Sequence, residues 1–429
     1  MMRILFSVLA TGLVASCIAG PSTAEANLRL AWSAAGEQHR QLDADAPLTR
    51  SAFTGQARLV YDDGVHLQGA CAFEWIADRA LPERERLDLR EGFLGIAYGP
   101  GELILGRQLL SWGRLDLLRP TDLFRRRDLH DPIENRHQPV WAARLILYRG
   151  RHSLEGVWIP RFEPDILSYD ERNPWCLFPD SIGFGQLGPY PTDIREGERR
   201  EPGGGIGSSE FALRWDARMG TTDLGVVAIQ GYDPVPTWFA ATSAWLRPDG
   251  TLEMTIDAVH RPITLLGIDS ARPLGRGTLR GELARTWTSP SPGGHEEPDY
   301  LRAGIGIDQT FGQVVAGRDL FLLAQYNYDE GYREPTGFTG YQHFYKHAGL
   351  IRLRLRPGRH TAIEVETYRN WDDRDRYLKL ELRHSPQDGW DLLIGALLVG
   401  GARGSFLGQF RDNDRLRVMI RYQGSHRLR

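Results

Sequence analysis

The sequence predicts an all-β fold, a transmembrane antiparallel β-barrel of about 18 strands with short periplasmic turns and long extracellular loops. Three observations predict it. Apolar and polar residues alternate with a period of two along almost the whole chain, helical periodicity is nearly absent, and the links between successive strands are by turns short and long.

The chain opens with a short basic start (Met1 to Arg3), an apolar run from Ile4 to about Gly20, and Ala24-Glu25-Ala26, an A-x-A cleavage pattern. Residues 1–26 therefore read as a secretory signal peptide and residues 27–429 as the barrel. Val14-Ala15-Ser16-Cys17 also fits the pattern that precedes a lipidated cysteine, so lipidation at Cys17 is the minor alternative to cleavage after Ala26. Beyond the leader, the longest apolar run, Leu392 to Ala402, is far short of the ~18 residues of a membrane helix and contains three glycines. With a net charge of −3 and 25% charged residues of both signs, no basic face asks for nucleic acid. No motif calls for a cofactor or a metal. Cys71 and Cys176 remain after the leader; a disulfide between them stays open, although Cys71 sits in an apolar alternation that suits a small hydrophobe.

The alternation can be followed strand by strand. Phe211, Leu213, Trp215 and Ala217 fall opposite Glu210, Ala212, Arg214 and Asp216. Leu279, Gly281, Leu283 and Trp287 fall opposite Arg280, Glu282 and Thr286, with Arg285 breaking the apolar row. Leu320, Leu322, Ala324, Tyr326 and Tyr328 oppose Gln325 and Asn327, and Ile363 and Val365 oppose Glu364 and Glu366. Alternation alone fits a soluble sandwich as well as a barrel, so the links decide. Short ones such as Asp62 to Gly64, Gly99 to Gly101 and Arg149 to Arg151 alternate with long ones: Ser33 to Arg50, Ala77 to Glu85, Ser111 to Gln138, Pro160 to Ile206, Asp233 to Gly250, Thr288 to Pro298, Asp329 to Tyr341 and Gly401 to Asp414. Strand starts fall near 28, 51, 65, 86, 102, 139, 152, 208, 222, 252, 277, 299, 318, 342, 360, 375, 388 and 415, good to a few residues. An even count returns both termini to one side, and closure leaves no unpaired edge in lipid. Leu252 to Arg272 is too long for one crossing and is expected to project beyond the membrane as a single strand.

The segments "LILGRQLLSWGRLDLLRPTDLFRRRDLHDP", "LEGVWIPRFEPD", "SEFALRWDARMGTTDLGVVAIQGYDPVP", "LLGIDSARPLGRGTLRGELA" and "FLGQFRDNDRLRVMIRY" resemble, in order, blocks of an uncharacterised porin-like outer-membrane barrel family of Gram-negative bacteria. The resemblance runs from about Leu103 to Tyr422. It implies a membrane barrel with no established substrate and no catalytic residues. Its implied partners are outer-membrane lipid and lipopolysaccharide, the barrel insertion machinery, and a small-molecule solute of unspecified kind; association of barrels as homo-oligomers stays open. Such barrels usually end on an aromatic residue, whereas this chain continues past Tyr422 with "QGSHRLR".

No enzyme is expected. There is no Gly-x-Ser-x-Gly elbow, "GGGIGSS" at Gly203 to Ser209 lacks the lysine of a phosphate loop, and His343 and His347 have no intervening glutamate in metalloprotease order. His295, Glu296 and Glu297 read as a solvated loop tip, and Glu364, Glu366 and Glu381 as carboxylates of a wet barrel wall.

The strongest functional candidate is 111–138, in which Gly113 to Pro132 carries five arginines and four aspartates. By analogy with trimeric porins, the third long loop folds inward and narrows the pore, where charges of both signs order water and select solutes. Arg125, Arg126, Arg127 and Asp128 are the expected eyelet residues, and Arg114, Asp116, Arg119, Asp122 and Asp131 the expected anchors. The opposing expectation is an exposed loop that touches lipopolysaccharide or nothing. A second candidate is 160–206, where Trp175, Leu177, Phe178, Phe184, Leu187 and Tyr190 are too apolar for an idle loop and form either a plug or lid over the lumen or a self-packed rim. The function expected from these features is an outer-membrane porin-like channel or facilitator for small or partly hydrophobic molecules. The alternative is a plugged docking barrel that works with a periplasmic or envelope export partner.

Overall fold

The computed structural model describes residues 27–42, 48–124, 126–134, 136–176, 181–183, 189–200, 202–203, 206–289, 299–330, 344–402 and 405–428. Eighteen strands form one sheet that closes on itself. They are β1 (Asn27–Gln41), β2 (Leu48–Asp62), β3 (Leu67–Asp78), β4 (Arg86–Tyr98), β5 (Gly101–Gln108), β6 (Val140–Arg149), β7 (His152–Ile159), β8 (Glu210–Met219) and β9 (Thr222–Tyr232). The ring continues through β10 (Pro262–Leu274), β11 (Gly277–Thr288), β12 (Tyr300–Val315), β13 (Arg318–Asp329), β14 (Ala348–Gly358), β15 (Thr361–Asn370), β16 (Arg376–His384), β17 (Trp390–Gly400) and β18 (Arg415–Leu428). Each strand pairs antiparallel with its neighbours in sequence, and β18 returns to β1 from Leu28↔Leu428 to Gln41↔Arg415. Closure satisfies the amides that an open edge would leave bare in lipid.

One face of each strand carries large exposed apolar side chains and the other points inward. On β8, Phe211 and Leu213 are exposed while Glu210, Ala212 and Arg214 are buried. Trp32, Phe53, Trp75, Leu145, Ile305 and Ile394 continue the outward row on other strands. So much contiguous apolar surface is unsuited to water and fits a lipid belt. Near the short-turn end, Tyr422 lies between Trp32 and Trp390, with ring centroids 5.1 and 4.8 Å away. Aromatic residues of this kind mark a membrane interface. The links at that end are tight; Gly150 and Gly220 take φ of 60° and 62° in two-residue hairpins, a conformation that other residues reach only with strain.

Two expectations about the strands need correction. Leu252 to Arg272 is not one strand: Leu252–Val259 belongs to a separate sheet, parallel to Pro189–Arg200 and antiparallel to Thr237–Leu246, and β10 starts afresh at Pro262. His260 and Arg261 interrupt the strand between them, and the amide of Asp233 donates to the Arg261 carbonyl at 2.9 Å. The even count survives because β10 takes the place of the longer strand. The link expected from Ser33 to Arg50 is mostly strand, since β1 and β2 pair up to His39↔Arg50; Ala34, Ala35 and Gly36 blur the alternation without disturbing the backbone ladder. The segment after Tyr422 is also strand, as far as Leu428. Cys71 and Cys176 are not joined in a disulfide.

Apolar cores lie inside the ring. Leu110, Trp112, Leu123 and Phe124, from the link between β5 and β6, pack on inward Val157, Ile159, Val227, Ile229, Ile263 and Leu265. A second cluster joins Leu129, Trp175, Val235, Met254, Ile256, Phe344, Phe406, Leu407 and Phe410 from the long links to Leu350, Tyr368 and Tyr377 on the wall. Burial of this kind contributes ~1.5–3 kcal/mol per large side chain and fixes the links within the barrel.

Candidate functional site

The link between β5 and β6, residues 109–139, touches strands on opposite sides of the ring. Arg86 on β4 donates to Asp128 at 2.5 Å, whereas the amides of Asp116 and Leu117 donate to Gln325 on β13 at 2.8 and 3.0 Å. In an 18-member ring β4 and β13 stand nine places apart, so the link crosses the lumen.

Its first half is held by the wall through backbone groups. Glu282 on β11 accepts from the amide of Leu115 at 2.7 Å, and from the amide and hydroxyl of Thr121 at 3.2 and 2.8 Å. The Arg114 amide also donates to Glu282, while its guanidinium reaches Asp269 on β10 and Asp216 on β8. Gln325 returns a bond to the Leu118 carbonyl at 3.2 Å. Leu115 presses on inward Gly304 and Gly306 of β12, where a Cβ would collide with it at Gly304 and crowd it at Gly306. Gly267 on β10 makes room for Thr121 in the same way.

The second half is held by side chains. Residues 126–128 and 136–138 form a short antiparallel ribbon. Arg126, 1% exposed, pairs with Glu210 on β8 and stacks over Phe162 at 5.1 Å. Arg127 binds Asp165 at 2.9 Å, Asp131 pairs with Arg415 on β18, and Glu134 meets Arg417 at 3.0 Å and Arg50 at 3.2 Å. Arg136 pairs with Glu74 on β3. Burial raises the pKa of Asp128, but His130 and Arg86 outweigh it and hold the carboxyl well below its ordinary value. Glu134 is likewise depressed, because Arg417, Arg50, His39 and Arg415 together overcome its burial.

These contacts reverse the division of roles expected from the sequence. Arg126, Arg127 and Asp128, expected at the eyelet, are anchors; Arg126 and Asp128 are buried against wall partners of opposite charge. Arg114 is bonded to wall carboxylates on β8, β10 and β11, while Asp116 and Arg119, also expected as anchors, keep 36% and 23% of their side chains exposed inside the ring. The physical reason is the ribbon: pairing of 126–128 with 136–138 turns Arg126 and Asp128 against the wall, where Glu210 and Arg86 neutralise them. Asp131 pairs with Arg415 of the wall, and the Asp122 carboxylate is covered beside Arg119 at 3.9 Å. Arg125 lies outside the described residues.

Of the apolar residues in 160–206, Trp175 is buried in the second cluster, 5.1 Å from Phe410 and 5.6 Å from the Arg415 guanidinium. Tyr190 lies on the strand Pro189–Arg200. Leu177, Phe178, Phe184 and Leu187 lie outside the described residues, as do Cys17, His343 and the tip from His295 to Glu297.

The wall residues that do the holding, Glu282, Gln325, Glu210, Asp269 and Arg415, were not singled out as partners in the sequence. Their signal is indirect: inward positions should be polar, and glycines there, as at Gly267, Gly304 and Gly306, mark where another segment lies against the wall.

Glu37, His39 and Glu134 bring ligand atoms within 4.8 Å of one another. Arg417 already holds Glu37 at 3.0 Å and Glu134 at 3.0 Å, so the trio is part of an ion-pair network that a cation would have to break. Glu364 and Glu366 are bound by Arg354 and Arg352, both at 2.7 Å, as wall ion pairs rather than an acid–base dyad. A groove of about 560 Å³, floored by Ala143, Gly156 and Ala228 between Leu145, Trp158 and Phe211, faces outward to the lipid side.

No family model and no curated protein matches the sequence, so the uncharacterised family it resembles is not shown. Solved structures do match the fold. OccK2 (OpdF) of Pseudomonas aeruginosa is similar with a TM-score of 0.51 and 10% identity, over 94% of this chain and 98% of that one. A BenF-like porin from Pseudomonas fluorescens Pf-5 gives 0.50 and 10%, over 94% and 99%. OccD3 (OpdP) of P. aeruginosa gives 0.50 and 10%, over 94% and 92%. At this identity the likeness concerns the fold: the chain is a closed 18-stranded barrel of the kind found in outer-membrane porins.

Proposed function

We propose that the protein is a porin-like outer-membrane channel for small solutes, narrowed by residues 109–139. The carrying observation is the crossing of the lumen from β4 to β13 by a segment bonded at both ends to wall residues. Asp116, Arg119 and Arg114, with Arg280 of β11 and Asp216 of β8, give the passage water-facing charges of both signs. A narrow polar passage of this kind selects by charge and hydrogen bonding. The neighbouring porins support the class of function and leave the solute open.

A plugged docking barrel is the second reading, favoured by the apolar cluster that Trp175, Phe344, Phe406 and Phe410 build inside the ring. Planar-bilayer conductance separates the two. Wild-type protein should give steady openings, and replacing 111–124 by a short glycine-serine link should enlarge them. A silent wild type beside a conducting shortened variant would point to a plug, and silence from both would sink the channel.

A further inference from the structure

Arginines at the short-turn rim differ from those inside the barrel. Most lumenal guanidinium groups have a carboxylate partner, as in Arg126–Glu210, Arg302–Asp329 and Arg352–Glu366. At the rim, Arg149, Arg151, Arg272, Arg276, Arg318 and Arg359 are all exposed, and no ion pair holds any of them among the described residues. They occupy the turns from β6–β7 round to β14–β15. Within that arc the β8–β9 turn is neutral, since Arg218 is bound to Asp223 at 2.8 Å. Asp319 stands beside Arg318 but accepts from the Gln313 amide at 3.0 Å. The rest of the rim is mixed in sign: Asp62 and Asp63 sit at the β2–β3 turn and Asp388 at the β16–β17 turn, beside exposed Arg29, Arg383 and Arg427 on β1, β16 and β18.

The arc is interleaved with the lipid-facing row. Arg149 follows outward Leu147, Arg272 precedes outward Leu274, and exposed Phe311, Val314 and Val315 lie beside Arg276 and Arg318 on the β12–β13 hairpin. At the edge of an apolar belt a guanidinium reaches the depth of lipid phosphates, and its fork binds a phosphate through two parallel hydrogen bonds.

We propose that this arc binds the anionic head groups of phospholipids in the adjacent leaflet, making one side of the barrel perimeter a site for phosphatidylglycerol-type lipid. An acidic protein face is the competing occupant; the spread of the arginines along the perimeter, among lipid-facing side chains, favours lipid. The proposal rests on the chain being a membrane barrel with its short turns on the periplasmic side.

The test is native mass spectrometry of the purified full chain, released from micelles holding equal phosphatidylglycerol and phosphatidylcholine with the same acyl chains. Wild type should retain phosphatidylglycerol over phosphatidylcholine by on the order of tenfold. A variant with the six arginines changed to glutamine should retain both alike, an all-lysine variant should fall between, and Arg218→Gln should behave as wild type. Equal retention by wild type, or an undiminished preference in the glutamine variant, overturns the proposal. Heat-modifiable gel mobility reports folding of each variant; should the glutamine variant fail to fold, the lysine variant and wild type decide. A wild type that does not enter phosphatidylcholine vesicles at all would instead overturn the membrane-barrel reading on which the proposal rests.

Discussion

The two halves of the segment that crosses the lumen are held in opposite ways. From Arg114 to Thr121 the wall supplies the side chains, Glu282 and Gln325, and the segment supplies mostly backbone. From Arg126 to Glu134 the segment itself supplies the charges, and wall residues of opposite sign receive them. The first arrangement tolerates many side chains in the segment but few changes in the wall. The second depends on residue identity at both ends.

The comparison is broken most severely from the wall. Glu282→Ala strips the acceptor from three backbone amides, at about 1–3 kcal/mol for each donor left dry. Guanidinium unfolding in micelles should show a loss of several kcal/mol, and Glu282→Gln, which keeps an acceptor, a much smaller one. In the second half, Arg126→Ala leaves Glu210 buried and uncompensated, a loss of roughly 3–5 kcal/mol. The double change Arg126→Met with Glu210→Leu should recover most of it; no recovery would mean that the pair is not what holds the ribbon. Gly304→Val, which drives a side chain into Leu115, should cost ~1–3 kcal/mol and raise proteolysis near Leu115 without touching the ribbon.

Acid sharpens the comparison. Asp128 and Glu134 have folded pKa values below their ordinary 3.8 and 4.5, so they contribute stability that is present above those values and lost as pH falls through the depressed ones. Asp375, between β15 and β16, is the opposite case. Burial pushes it up to about 6, only partly offset by the Ser405 hydroxyl and the Leu407 amide. Its ionisation therefore opposes folding above pH 6, and that cost is relieved as pH falls toward its ordinary 3.8. Hydrogen exchange corrected for intrinsic rates should show Leu407 gaining protection from pH 7 to 5 and the ribbon at 126–128 losing it below pH 4. The smallest effect belongs to Asp116→Asn: a shift in cation-to-anion permeability, with unfolding changed by less than about 0.5 kcal/mol.

The barrel was legible because period two is a local property, visible in Phe211–Leu213 or Ile363–Val365 without knowledge of any partner. The same property misled at Leu252–Val259, which alternates equally well in a sheet separate from the ring. The segment with many arginines was also legible as a site, by composition. Which of its charges face water was not, because burial of Arg126 depends on Glu210, and 84 residues separate the two. Near-continuous apolar runs such as Leu224 to Ile229 were the overlooked clue: inward Val227 and Ile229 are apolar because the crossing segment covers them.

The last tethers of that segment, Arg415 and Arg417, stand on β18, the strand that closes the ring on β1. That placement sets an order of assembly. The crossing segment precedes β18 in the chain but cannot be tethered there until the ring shuts, so any intermediate short of β18 carries a loose segment along with an open seam.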